Sequence, residues 1–357
     1  MAYNNSIAKA EKYVPLLDEV YKNAALTADL DGAPELVQQG ANANELIIPK
    51  MSMDGLADYS RNGGYVDGDV NLTNETVQCN FDRGRMFQVD NMDNEETAGI
   101  AFGRLAGEFI RTKVVPELDA FRLAAYASAS GISKVATPAA LATGADVIAA
   151  LRAATNQMDE DEVPFENRIL YITPTLLGLV QDMDTTKSKE VLARFSKIVQ
   201  VPQTRFYTAI TQKDGKTEGQ TGGGYARKEN SQEFIATTSQ TDFTVTAKPT
   251  EIQKVTVNGE AVTTGFTYTA ATGVLAFGTA PGNGKTVVVT YDTGCEQNFL
   301  VIQKSAVIQF QKHVAPKIIT PEQNQNADAW KYGYRNVGIA EVYENKVAGI
   351  YSHYKPA

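Results

Sequence analysis

Cysteine and histidine are scarce in this sequence, and each scarcity closes off a class of chemistry. Cys79 and Cys295 are the only cysteines among 357 residues and form no C-x-x-C pair, which suggests neither a disulfide framework nor a zinc site. The two histidines, His313 and His353, have no Ser, Cys or acidic neighbour at a catalytic spacing, and both are expected to be partly exposed strand-end residues. Positive charge is also in deficit: 33 Lys and Arg stand against 42 Asp and Glu, a net charge of −9. Tight wrapping of nucleic acid needs Lys and Arg to neutralise phosphates, so the balance argues against gripping DNA or RNA but not against enclosing it. No apolar run approaches the roughly 18 residues of a membrane span. The N-terminus, M-A-Y-N-N-S-I-A-K-A-E-K, has no apolar signal core. The expectation is a soluble protein of a reducing cytoplasm, with no cofactor, no metal and no membrane partner.

What is present begins with a long helical stretch from Asp93 to Ser130. Asp93 or Asn94 can cap it, with Glu95 and Glu96 as first-turn acids that meet the positive end of the helix dipole. Phe102, Leu105, Phe109, Ile110, Val114, Leu118 and Phe121 recur at helical spacing, while Arg104, Glu108 and Arg111 sit three or four apart as solvent-side pairs. Pro116 predicts a kink. About 33 residues at 1.5 Å each make a rod of roughly 50 Å, suited to a spine on which other pieces are laid.

Before the spine, Tyr13, Leu16, Leu17, Val20 and Tyr21 form the apolar face of a short arm. From Glu45 to Val89 the chain reads as extended runs, with Gly63-Gly64 and Asp67-Gly68 as turns. This is a long two-stranded excursion, and a hairpin of that kind is not stable alone in water, so it is expected to lie on a neighbouring subunit. After the spine, Thr143 caps a helix carrying Val147, Leu151, Ala154 and Met158 on one face. Arg168 to Thr173 is a buried-type strand, and Thr173-Pro174 starts a further helix. Strands alternating with helices indicate a mixed α/β domain. Gly215 to Gly224 is expected to be flexible. From about Thr241 to Gly294 the composition turns to Thr, Val and Gly, with a hairpin signal at Asn258-Gly259. That stretch reads as a small β-sandwich inserted into a surface loop, because the α/β pattern resumes at Phe299.

Few motifs point to chemistry. Pro281 to Thr286, P-G-N-G-K-T, ends like a phosphate-binding loop, but position 279 is Thr and a strand follows, so a hairpin turn is the better reading. The run Asp159 to Glu162 lacks calcium-loop spacing and reads as a solvated face. Arg83 and Arg85, placed on the returning strand of the excursion, are candidates for pairing with acids on an adjacent subunit. No convergent polar set suggests an enzyme.

The order of parts resembles the major capsid protein of tailed double-stranded-DNA bacteriophages, the Hong Kong 97-type fold shared with encapsulins. The resemblance is carried by the arm, the extended loop, the spine, and the closing A-D-A-W-K-Y-G-Y-R-N-V-G-I-A-E-V-Y-E-N-K-V-A-G-I-Y. It implies an α+β fold: arm at 1–44, extended loop at 45–90, spine helix and peripheral domain at 91–163, and axial domain at 164–240. An immunoglobulin-like insertion follows at 241–294, and axial and peripheral closing strands at 295–357. It also implies a structural protein that assembles through pentamers and hexamers into an icosahedral shell around phage DNA, a virion component built in the host cytoplasm. A separate scaffolding protein, a portal and a decoration protein are the implied partners. Candidate inter-subunit contacts are Arg83, Arg85, Glu95, Glu96, Tyr65, Phe87 and Trp330. Some members of the family cross-link through a lysine in the extended loop; residues 51 to 82 contain no Lys, which implies a non-covalent shell. The alternatives are an encapsulin-like compartment and a surface or tail adhesin that binds through the β module.

Overall fold

The computed structural model describes residues 25–32, 38–39, 45–96, 100–183 and 185–356. The amphipathic arm face at Tyr13 to Tyr21 lies outside them. The chain forms two compact units, one from Leu30–Arg104 with Ile308–Ala340, the other from Leu105–Val307 with Glu341–Ala357 and the segment ending at Asp29.

The first unit holds β1 (Gln38–Gln39), β2 (Glu45–Met53), β3 (Val70–Gln78) and β4 (Phe81–Asp90), followed by α1 (Asn91–Glu96) and the start of α2 (Ile100–Phe109). β2 and β3 pair antiparallel over nine residues each, from Glu45 opposite Gln78 to Met53 opposite Val70. The excursion is therefore a ribbon, joined at its base by the two residues of β1, which pair with Ile47 and Leu46 of β2, and it ends at Gln78. β4 departs from it and pairs with the closing strand of the same unit, more than two hundred residues later in the chain. The helix also begins earlier than expected: Asp90 Oδ1 accepts a hydrogen bond from Met92 N at 2.9 Å. Asp90 thus precedes the first turn and takes one of its amides, upstream of Asp93 and Asn94, and Glu95 and Glu96 fall at the last turn of α1.

A π-helical turn at Ile110–Val114 joins α2 to α3 (Val115–Ser128). Val115 N reaches back five residues to Ile110 O. Pro116, which has no N–H to give and whose ring would crowd the preceding turn, sits directly after this wider turn, which accommodates it where a simple kink was expected. α3 is buried on most sides, including Asp119 and Arg122, and so is a central helix, not one with a single apolar stripe.

The second unit continues through β5 (Ser133–Lys134), α4 (Gly144–Glu160), β6 (Arg168–Ile172), α5 (Pro174–Asp182), α6 (Thr186–Leu192) and β7 (Lys197–Gln200). Thr143 caps α4 in a reciprocal box with Asp146, as the sequence predicts. β8 (Ile210–Gln212) and β9 (Tyr225–Arg227) flank the Gly-rich loop. There Asp214 accepts from the amides of Lys216 and Thr217 and from the Thr217 hydroxyl. Those bonds, the hydroxyl's first, hold its carboxyl down at about 2.

Next come β10 (Glu229–Ile235), β11 (Asp242–Thr244), β12 (Ile252–Val257), β13 (Glu260–Val262), β14 (Phe266–Thr269), β15 (Val274–Phe277) and β16 (Thr286–Asp292). The chain then runs through β17 (Gln297–Gln303), β18 (Val307–Ile319), β19 (Ala329–Val342) and β20 (Ile350–Tyr354). β17 and β20 join the second unit's main sheet, ordered β5-β20-β17-β6-β7, while β18, β19 and β4 form a sheet of the first unit.

The main sheet is covered on both faces, which is why all five residues of β6, R-I-L-Y-I, are buried and three of them are aliphatic. Leu170, Ile172, Phe299 and Val301 pack with Val147, Leu151, Ala154 and Met158 of α4. β10 to β16 form two antiparallel sheets, β10-β16-β12-β13 and β11-β15-β14, around a shared core of Phe243, Val255, Leu275, Val287 and Val289. This module begins before Thr241, because β10 pairs with β16 along its whole length. Its two ends meet: Lys228 O accepts from Thr293 N and Gly294 N at 2.8 and 3.0 Å. A Cβ on Gly294 would lie 2.1 Å from Ala209 O, so only glycine fits that closure. Asn258 and Gly259, both at positive φ, turn β12 into β13. The turn at Gly282 and Gly284 instead crosses from one sheet to the other, which corrects the hairpin reading. Likewise β19 and β20 lie in different sheets, joined by the 3-10 stretch Glu344–Gly349.

Leu151 is fully buried in the α/β core. Leu151→Ala is expected to lower unfolding stability by about 3 kcal/mol in denaturant titrations, and a loss under about 1 kcal/mol would contradict this packing.

Candidate functional site

The β2–β3 ribbon has two unlike faces. Strand alternation and the register put Met51 and Met53 beside Leu72 and Val70, their cross-strand partners, on one face. These four side chains are 55, 67, 62 and 69% exposed respectively. Ser52 lies opposite Asn71 on the other face. The loop at the ribbon's end adds Leu56 and Tyr65, both almost fully exposed, with the Tyr65 ring 4.9 Å from that of Tyr59. Asp54 Oδ2 accepts from Asp69 N at 2.9 Å and closes the base of this loop. A ribbon of nine pairs extends about 30 Å. Exposed apolar side chains gathered on one face of so thin an element form a patch of the sort that marks an interaction surface.

The sheet β18-β19-β4 gathers four of the seven candidate contact residues. Arg83 faces Asn336, Arg85 faces Tyr334, Phe87 faces Tyr332 and Val89 faces Trp330, so alternation puts Arg83, Arg85, Phe87 and Trp330 on one face. That face is rich in aromatics, and Phe81, Val89, Tyr332 and Tyr334 on it are buried. Arg83 is half-buried and Arg85 exposed. Both lie on β4, so the placement on the returning strand of the excursion is corrected. The pairing of β4 with β19 is a contact across some 250 residues that no local pattern announces. Trp330 Nε1 donates to Asn91 Oδ1 at 3.2 Å, which ties β19 to the start of α1. Glu95 and Glu96 are exposed at the end of α1, and Tyr65 stands apart on the ribbon loop. The seven residues are thus brought to three places.

The groups considered for chemistry take structural positions. His353, expected to be partly exposed, is buried within β20: its Nδ1 lies 3.0 Å from Asn298 Nδ2, and its ring stacks on Phe299 at 5.0 Å. His313 lies within β18, not at a strand end. Asp159, from the acidic run, pairs with Arg168 at 2.7 Å and Arg194 at 3.0 Å. Arg168 also donates to the carbonyls of Val163 and Pro164, fixing the loop that precedes β6. Pro281 to Thr286 leads straight into β16 without a helix. Among the described residues no group of His, Cys, Asp or Glu could hold a metal ion, and no helix is long and apolar enough to cross a membrane.

The arrangement defines a capsid-type fold: a two-stranded excursion, a long helix, an α/β domain with helices on both faces of its sheet, and a closing strand that returns to the first unit. Solved structures bear this out. Over 97% of its length the chain is similar to a chain from the capsid structure of the cyanophage P-SCSP1u, covering 92% of that chain, with a TM-score of 0.53 and 11% identity. It is similar over 99% of its length to a chain from Mycobacterium phage Che8, covering 98% of it, with a TM-score of 0.52 and 14% identity. The mature capsid of bacteriophage PhiM1 contains a third such chain, with 99% and 91% coverage, a TM-score of 0.50 and 9% identity. No family model matches the sequence, and no curated protein does. The chain therefore has the Hong Kong 97-type capsid fold, and the likeness is one of fold at very low sequence identity.

Burial pushes the His353 imidazole down to about 4. The unfolded chain therefore binds a proton between about pH 6.5 and 4 that the folded chain refuses, so the contribution is complete above 6.5 and is lost as pH falls through that window. The denaturation midpoint is expected to drop between pH 6.5 and 4, and less so in His353→Gln. Equal slopes in the two proteins would contradict the assignment.

Proposed function

We propose that this chain is a major capsid protein, which assembles with copies of itself through pentamers and hexamers into an icosahedral shell enclosing phage double-stranded DNA. The observation that carries the proposal is the end-to-end likeness to chains of phage capsid structures. The ribbon supplies the physical reason for assembly. Covering Met51, Met53, Val70 and Leu72 on a neighbouring copy would contribute roughly 1.5 kcal/mol per side chain before the cost of association. Repeated around a closed shell, such modest contacts become a stable container, because each copy makes the same contacts as its neighbours.

In this reading the face bearing Arg83, Arg85, Phe87 and Trp330, the acids Glu95 and Glu96, and Tyr65 are contacts between copies. The role is structural, not catalytic. The protein is a virion component, assembled in the host cytoplasm with a separate scaffolding protein, a portal and a decoration protein. The β module, of immunoglobulin-like type, is presented on the shell. The net charge of −9 suits a container that lets DNA move in and out, since a strongly basic lining would hold it.

Negative-stain electron microscopy of the protein, expressed alone and with its neighbouring genes, tests the reading. Closed shells or rings of five and six subunits are expected, and a uniformly monomeric protein under all conditions would overturn it. Met51→Ser combined with Leu72→Ser is expected to leave circular dichroism unchanged and to abolish shells; normal shell yield would remove the ribbon from the account. Shells boiled in detergent are expected to run as single chains, because residues 51 to 82 offer no lysine. A ladder of linked chains would contradict that.

A further inference from the structure

Three distant stretches of the second unit meet at one carboxylate. Asp119, fully buried on α3, accepts hydrogen bonds from Leu26 N at 3.1 Å, Thr27 N at 3.2 Å, the Thr27 hydroxyl at 2.8 Å and Arg205 Nη1 at 3.2 Å. Four donors answer the roughly four acceptor positions of an ionised carboxylate. One turn further along α3, buried Arg122 donates to Thr27 Oγ1 at 3.0 Å. The Thr27 hydroxyl thus links a cation to an anion, receiving from one and donating to the other. Two residues on, Asp29 pairs with Lys197 at the surface.

Burial raises the Asp119 carboxyl, against its hydrogen bonds to Leu26 and Thr27 and the Arg205 charge, which lower it. The charged form depends on those donors, since a buried carboxylate stripped of partners is costly. Two of them are backbone amides of the 26–27 segment. The carboxylate therefore recognises a conformation of the chain, with only the Thr27 hydroxyl and Arg205 adding side-chain identity.

We infer that Asp119 is the receptor of a buried clasp that fastens residues 26–29 to the rest of the second unit, and that the clasp has to be closed for a copy to enter the shell. The second half rests on the assembly proposed above. Copies related by symmetry make equivalent contacts only if equivalent stretches of chain start from the same place. A loose 26–29 segment would add an ordering cost to any contact between copies that depends on its position.

Hydrogen exchange and electron microscopy on full-length wild type, Asp119→Asn and Thr27→Val test the inference. An asparagine offers one acceptor oxygen and turns an N–H₂ toward a donor, so it cannot satisfy the same four groups. Amides at 26–29 are expected to exchange about tenfold faster in Asp119→Asn. The rise should be smaller in Thr27→Val, amides of β6 and α4 should not change, and shell yield should fall in the same order. Unchanged exchange at 26–29 would overturn the clasp. Faster exchange with undiminished shells would overturn its link to assembly. Should Asp119→Asn fail to fold, Thr27→Val decides both points. A wild type that never forms shells would defeat the assembly reading, while the exchange data still judge the clasp alone.

Discussion

The β2–β3 ribbon buries Val77 near its base but leaves the apolar side chains of its far half uncovered, because a pair of strands alone has no layer to pack against. Among the described elements, that constraint sets the far half of the β2–β3 excursion apart from the α/β core and the β10–β16 module. The α/β core covers its sheet on both faces, and the β10–β16 module closes two sheets over Phe243, Leu275 and Val289. Both are complete in themselves. On the ribbon, Met51, Met53, Val70 and Leu72 share one face and remain more than half exposed. Methionine is apt there, since its flexible thioether adapts to an irregular partner surface. The ribbon is the element whose stability calls for something beyond its own strands.

Charge is paired in two settings. Arg335 and Asp82, on the face of the β4–β19 sheet opposite Arg83, make two hydrogen bonds at 2.9 and 2.6 Å while both stay exposed. Water screens such a pair, so it serves solubility and register more than stability. Asp119 and Arg205 are almost wholly out of water. There a lost partner is not replaced by solvent, and the arrangement of Leu26, Thr27 and Arg122 around them becomes specific. Tyr171, on the neighbouring β6, is also fully buried, and burial raises its phenol well above the usual value, with the charges of Asp29 and Asp119 adding to the effect. The polar interior of the second unit thus rests on neutral and paired groups in fixed places.

Local signals are legible in this sequence and distant ones are not. Thr143 as a cap, the all-buried β6, the start of α5 after Thr173 and the Asn258-Gly259 turn each depend on a few adjacent residues, and each is found where the pattern puts it. Arg83 and Arg85 lie in a strand pair that the sequence does not indicate, because alternation in β4 says that it is a strand but not which strand it meets. His353 was expected to be partly exposed for the same reason: its burial depends on β17, more than fifty residues earlier. The Asp119 clasp has no sequence signature, because two of its donors are backbone amides. The alternation in M-S-M and V-N-L is a signal for the ribbon's apolar face that the reading of Glu45 to Val89 as extended runs does not pick out. Its meaning emerged only when the register set Met51 against Leu72.

The most direct test is a cryo-electron microscopy map of the assembled particle, resolved well enough to place side chains on the ribbon. The account predicts density from an adjacent subunit packed against Met51, Met53, Val70 and Leu72. A particle in which that face looks into solvent, or folds back onto its own subunit, would contradict it.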